Sequence, residues 1–399
     1  MLVKAKATLA RYPLAGFFVL VVAAYATYAA LAAASSNASG WTNRFSIVSV
    51  MVAGLVALVC CWTISGPRSW PSRRFTQLFI VVAVVLVTMT ALCVEAWLVW
   101  RIDRSLFAGA GGSPGVYVMP MPSLGSWIHR ELGTSILWLR ALVAGLVLAG
   151  VVSPFTAIRR LARALVSWRG RRVWLLVAVA LLVPGVCAAA ARIGGSLAPL
   201  AVDGSVPIHY SVSYSVAAFV TALLINVPLV FAWYGFVGER LARRVSPLVA
   251  ALVIGLALVL PSQLMLRIVD RSGLSGLNDA WYVLTLMSVI AVAVLAVWLA
   301  RKARGSLVPT AVLFAAVSAG TNVVVLTSSN GGISGRTREL YPGCIIVAAV
   351  LFALAGRMWR KTEAPSSPLA LDESNPGSDG YEASVDDVGV ASATSAVEP

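Results

Sequence analysis

Apolar positions along this 399-residue chain fall in long unbroken blocks, with no alternation of the kind that marks strands. Ten blocks stand out, near 13–34, 45–65, 76–100, 135–157, 173–191, 213–237, 246–266, 280–300, 306–327 and 341–359. Each is close to the roughly 20 residues a helix needs to cross the hydrocarbon of a bilayer. Inside that hydrocarbon the backbone finds no water, so a spanning segment without strand patterning must satisfy its own hydrogen bonds as a helix. The pattern therefore predicts an all-α fold: a polytopic membrane bundle of about ten transmembrane helices. The first block follows Lys4, Lys6 and Arg11 and ends in Ala32-Ala33-Ala34-Ser35, which imitates a signal-peptide cleavage site. Its apolar stretch is too long for a typical signal peptide, so it is expected to stay as an anchor.

Composition agrees with this picture and removes its main rival. The chain is 59% hydrophobic and 12% charged, against about 25% charged residues in soluble domains. An ordinary soluble enzyme is excluded on that ground. The formal charge of +15 changes meaning once the basic residues are placed. With ten spans and the N-terminus inside, 21 of the 31 Lys and Arg lie on the cytoplasmic face and nine on the other, with Arg140 inside a span. Every inside segment holds at least three, and the segment from Arg159 to Arg172 holds six. This is the positive-inside asymmetry, and it predicts that both termini are cytoplasmic in a multi-pass protein of the plasma membrane. The lipid bilayer is the expected partner. Nucleic acid is not, because no basic groove with base-reading or stacking side chains is formed.

Past Lys361 the character changes. Residues 362–399 carry eight acidic and no basic residues among Pro, Ser, Gly and Ala, a composition that predicts a disordered cytoplasmic tail. The expected organisation is a four-span region at 1–172, a six-span core at 173–361 and the acidic tail at 362–399.

Few residues offer chemistry. Cys60, Cys61, Cys93, Cys187 and Cys344 all sit inside apolar blocks and read as small core residues. The two histidines, His129 and His209, fall in outer loops, with no second ligand at metal-binding spacing. The glycines of 109–115 lack the Lys-Ser/Thr and the preceding strand of a phosphate loop. No metal and no cofactor is expected. Ionisable residues within spans are functional candidates by default, and Glu95 and Arg140 qualify. Lying at similar depth with opposite sign, they either pair across neighbouring helices or snorkel separately to the outer headgroups.

Residues 226–250 carry a more specific pattern. Trp233, Gly235, Phe236, Arg240, Leu241, Arg243, Arg244 and Ser246-Pro247-Leu248-Val249-Ala250 follow one another as they do in the CPBP family of intramembrane proteases. That family includes the CAAX prenyl endopeptidases and the bacteriocin-processing enzymes. Gly305-Ser306-Leu307-Val308-Pro309 resembles the family's approach to its last motif helix. The resemblance spans roughly residues 173–361 and implies a six-helix core with reactive side chains facing one another inside the bilayer.

The positions that do the family's chemistry are substituted here. By the resemblance, the paired glutamates correspond to Leu229 and Val230, and the motif arginine to Tyr234. The second motif's aromatic and histidine correspond to Leu258 and Ser262. The third motif's histidine and asparagine correspond to Phe314 and Ser318. General acid–base catalysis needs a titratable group within reach, and none of these supplies one. The resemblance thus implies the fold while the residues imply a pseudo-protease. A retained cavity would be lined by Tyr234, Ser262, Gln263, Ser318 and Asn322 and would hold hydrophobic or prenylated membrane segments. Alternatives are an active endopeptidase using Glu239 or Glu95, a transporter or permease built around Glu95 and Arg140, and a structural partner in a larger membrane complex.

Overall fold

The computed structural model describes residues 8–34, 38–64, 80–85, 87, 135–153, 155–168, 171–196, 216, 219–269, 280–303, 305–329 and 335–360. Among these residues the chain is helical and has no strand. We label the helices α1 (Pro13–Ala34), α2 (Ala38–Ile64), α3 (Ser135–Ala149), α4 (Thr156–Leu165), α5 (Arg171–Ser196), α6 (Phe219–Ala242), α7 (Pro247–Val269), α8 (Ala280–Lys302), α9 (Val308–Ser329) and α10 (Gly335–Ala355). Nine of the ten apolar blocks coincide with a helix; the block at 76–100 is described, as helix, only at 80–85 and 87, and its Glu95 and Cys93 lie outside the described residues. So do His129, His209 and the tail from 362 on.

Three helices, Pro13–Ala32, Arg171–Ala191 and Phe219–Ala242, are long and apolar enough to cross a membrane by length and composition. Shorter apolar helices cover Val48–Ile64, Pro247–Pro261, Val308–Thr321 and Leu340–Ala355. Large apolar side chains are exposed in rows along α5 (Leu175, Leu182, Val186, Ile193) and α10 (Val347, Val350, Leu351, Leu354). A contiguous exposed apolar surface on this scale marks a face made for an apolar surrounding rather than water. The helical fold, its apolar lengths and this surface are those of a helical membrane protein.

Met1–Thr362 forms one compact unit. Within it, α5 packs against α9 and α10, and α8 against α7 and α10. Helix α2 touches α1, α3, α4, α6 and α7. Residues on both sides of the expected boundary at 172/173 therefore share one set of buried side chains, from Phe17 and Cys61 to Trp233, Leu299 and Leu313. Cys60, Cys61 and Cys187 are buried and Cys344 half-buried, all as free thiols, as their apolar settings predict.

One expected helix is shorter than its apolar block. The stretch 135–157 is helical to Ala149, tightens into a 3-10 turn over Gly150–Val152, and ends at Ser153 in an extended conformation, φ −61° and ψ 142°. The cause is Pro154 in the sequence: the residue before a proline is driven from helical to extended backbone. The chain then enters α4, whose Ile158, Leu161, Ala162 and Leu165 face inward and whose Arg163 is exposed. This 3–4 spacing is that of a short amphipathic helix. Gly150 lets it close on α3: a Cβ there would meet Ile158 Cγ2 at 2.8 Å and the Ala162 Cβ at 3.1 Å.

The segments between helices meet at one end of the bundle. The Leu307 N–H donates to the Ala164 carbonyl at 2.8 Å, and the Ser306 hydroxyl to the Ser167 carbonyl at 2.7 Å. The Leu248 N–H donates to the Met358 carbonyl at 3.1 Å. Helix α10 ends there in a paired cap: Met358 N–H to Ala353 carbonyl and Arg357 N–H to Leu354 carbonyl, both 3.1 Å. Arg357 sits at φ 47°, the left-handed position this cap requires, and Met358 is fully buried behind it.

Candidate functional site

The sequence 226–242 builds an irregular helix at the centre of the bundle. Pro228 has no N–H, and its ring opposes the carbonyl four residues earlier. The helix turns at Asn226, whose side-chain amide donates to the Ala222 carbonyl at 2.9 Å. It resumes over Val227–Leu229 and then widens into a π-helix over Val230–Val237. The Gly238 N–H closes that stretch by donating to the Trp233 carbonyl, five residues back. Every side chain from Val230 to Val237 is buried. Two glycines make room for the wide turns. A Cβ on Gly238 would lie 3.1 Å from the Trp233 carbonyl oxygen, and one on Gly235 would lie 3.1 Å from Leu307 Cδ1.

The aromatic side chains of this stretch divide between two neighbours, α1 and α9. Trp233 faces α1, with ring centroids 5.3 Å from Phe17 at 88° and 6.0 Å from Phe18. Phe236 joins this cluster, 5.5 Å from Phe17. The Arg240 guanidinium closes it, 4.0 Å over the Phe236 ring, and donates to the Phe236 carbonyl at 3.0 Å. Edge-to-face rings and a cation over a ring each add of order 1 kcal/mol beyond burial, so this side is a rigid wall. Tyr234 faces the other way, against Phe314 of α9, with ring centroids 5.4 Å apart.

Tyr234 is 4% exposed, and its hydroxyl has no hydrogen-bond partner among the described residues. Thr221 Oγ1 and Trp298 Nε1 share that condition. An unpaired hydroxyl in an apolar setting costs about 1–3 kcal/mol by mutational measures, so each is a place where an incoming polar group would gain. Among the described residues no three His, Cys, Asp or Glu side chains gather as a metal site.

The expected site residues divide accordingly. Leu229, Val230 and Tyr234 are buried on consecutive turns of α6. Phe314 meets Tyr234 directly, and Ser318, half-buried, lies one turn further along α9. Leu258 is half-buried on α7 and packs against the common core. Ser262, Gln263 and Asn322 lie on α7 and α9, but their side chains are outside the described residues, as is that of Arg140; Glu95 is outside altogether. Glu239 forms an ion pair with Arg243 at 2.8 Å, at the exposed end of α6. That is the surface i,i+4 pair its spacing predicts, away from the Tyr234 contact. The π-helix itself was not anticipated. Pro228 followed by Gly235 and Gly238 is the signal that marks it: one residue that disrupts the α ladder and two that tolerate the wider one.

Compared with known protein families, with curated proteins and with solved structures, the chain matches none.

Proposed function

We propose that this protein is a ten-span membrane protein of the plasma membrane, with both termini cytoplasmic, that binds hydrophobic or prenylated membrane segments without cleaving them. The topology is supported by the hydrogen bonds at one end of the bundle. Residues 164 and 167 meet 306 and 307, and 248 meets 358, pairs that are each four spans apart in the proposed alternation and so belong on the same face.

The binding role rests on one observation, the buried and unpartnered hydroxyl of Tyr234 at the α6–α9 contact. A segment entering between these helices would bury apolar surface against Phe314 and supply the phenol with a backbone carbonyl or thioether-adjacent amide. Cleavage is not expected, because Leu229, Val230 and Phe314 offer no proton acceptor where the resemblance implies the reactive groups.

The test is saturable photo-crosslinking of a farnesylated peptide to the full chain in bilayer nanodiscs. Tyr234→Phe, which removes one oxygen and no packing, is expected to weaken capture about five- to tenfold, the size of one hydrogen bond. Equal capture by both proteins, or no saturable capture at all, rules the reading out. Peptide cleavage abolished by Glu239→Gln or Glu95→Gln would establish the endopeptidase instead.

A further inference from the structure

The elbow between α4 and α5 differs from the described segments at its end of the bundle. Trp168 and Trp174 stack there, ring centroids 4.8 Å apart at 39°, yet both are exposed, at 42% and 59%. Arg163, Arg171 and Arg172 beside them in sequence are exposed as well. Two large indoles held together in the open are not core packing. The chain leading to Trp168 is held in place: the carbonyls of Ala164 and Ser167 accept the long-range bonds from Leu307 and Ser306.

The charge pattern indicates what lies against this surface. No Asp or Glu occurs between Leu132 and Val202, whereas Arg243 has Glu239 four residues away and the basic residues after α10 run into the acidic tail. Three basic residues suffice for orientation in every other inside segment; this one carries six. Tryptophan favours the level of lipid headgroups, and arginine's planar fork matches phosphate oxygens two at a time.

We infer that Arg163, Trp168, Arg171, Arg172 and Trp174 form a binding site for the headgroup of an anionic phospholipid of the cytoplasmic leaflet. The indoles lie at the glycerol level and the guanidiniums pair with the phosphate. The site rests on the bilayer reading above but not on the Tyr234 contact.

Native mass spectrometry of the full chain in detergent, titrated with phosphatidylglycerol and with phosphatidylcholine, tests it. The wild-type protein is expected to retain phosphatidylglycerol preferentially. The Arg163→Gln/Arg171→Gln/Arg172→Gln variant is expected to lose about a hundredfold in that affinity, since each basic residue near an anionic surface is worth roughly a fivefold effect. If that variant does not fold, Trp168→Ala/Trp174→Ala keeps every charge and is expected to lose severalfold. Equal retention of the two lipids by the wild type, or an unchanged preference in a folded variant, overturns the site. Arginine-dependent binding of a synthetic 363–399 peptide in place of the lipid would make the acidic tail the occupant and overturn it too. Farnesyl-peptide capture is expected to be unchanged in both variants, so loss of this site and loss of the Tyr234 site are read separately.

Discussion

Helices α5 and α6 are both long and apolar enough to cross a membrane, but most of α6 is buried in the bundle and most of α5 is not. Hydropathy therefore says that each can enter a bilayer and nothing about where in the bundle it stands. Side-chain type carries that second message. The outward face of α5 shows Leu175, Leu181, Leu182, Val186 and Ile193, aliphatics suited to lipid. The middle of α6 shows Trp233, Tyr234, Gly235, Phe236 and Gly238, large rings beside vacant positions. Without a hydrophobic drive between helices in lipid, close packing is what joins them, and rings set beside glycines supply it.

The largest effect that separates the two helices is truncation of Trp233. Its indole is 1% exposed and lies against Phe17 and Phe18, so Trp233→Ala is expected to cost about 3–5 kcal/mol. Leu182→Ala, at a position 62% exposed on α5, is expected to stay within about 0.5 kcal/mol. Reversible unfolding in mixed micelles measures both. Similar losses at the two sites would erase the distinction between centre and periphery.

Glycines sharpen it with opposite signs. A Cβ on Gly54 of α2 would come 2.7 Å from the Pro228 Cβ and 3.3 Å from its Cα. The irregular start of α6 is thus seated on a glycine, and Gly54→Ala is expected to destabilise by about 1–3 kcal/mol through overpacking. A Cβ on Gly185 of α5 would meet nothing within 4 Å. Gly185→Ala is expected to stabilise by up to about 1 kcal/mol, since alanine restricts the unfolded chain and favours helix. The same unfolding assay reads the pair, and a shared sign would refute the packing account.

These contrasts also show how far the sequence could be read. Helix positions were legible because a bilayer demands about 20 apolar residues wherever the chain crosses, and α1 begins and ends where its block does. Which helix touches which was not. On α5, buried Val173, Leu176, Val177 and Ala180 alternate with exposed Trp174, Leu175, Leu181 and Leu182, and both sets are apolar, so periodicity does not tell the inner face from the lipid face. The amphipathic α4 escaped for the opposite reason: its arginines were counted for their side of the membrane while Ile158, Leu161 and Leu165 already carried a helical period. At the candidate site, no periodicity or spacing announces that Tyr234 of α6 meets Phe314 of α9, helices distant in the chain. The π-turns over Val230–Val237 depend on backbone bonds that no residue count displays.

A smaller effect belongs to the end of the bundle that both helices share. Ser306 donates to the Ser167 carbonyl at 2.7 Å and accepts from the Val308 N–H at 3.3 Å, and it is 4% exposed. Ser306→Ala is expected to cost about 1 kcal/mol, seen as faster amide exchange around residues 164–168 with the α6 amides unchanged. If the loss spreads equally into α6, the elbow and the centre form one cooperative unit and the contrast between regions fails at this end.

The smallest expected change is at Glu239, and its smallness is informative. The Arg243–Glu239 pair is 2.8 Å long, with the arginine side chain 37% exposed, and exposed i,i+4 pairs contribute about 0.2–0.5 kcal/mol. Glu239→Gln keeps the shape and removes the charge, so unfolding is expected to move by no more than that, and farnesyl-peptide capture not at all. A carboxylate that served as the general base of a peptidase would behave otherwise, because removing such a group costs about 10²–10⁴-fold in rate while leaving stability nearly untouched. The two measurements on one variant therefore separate a solvated helix end from a reactive centre. The ion pair with Arg243 stands at the end of α6, away from the Tyr234–Phe314 contact, and the former outcome is the one expected.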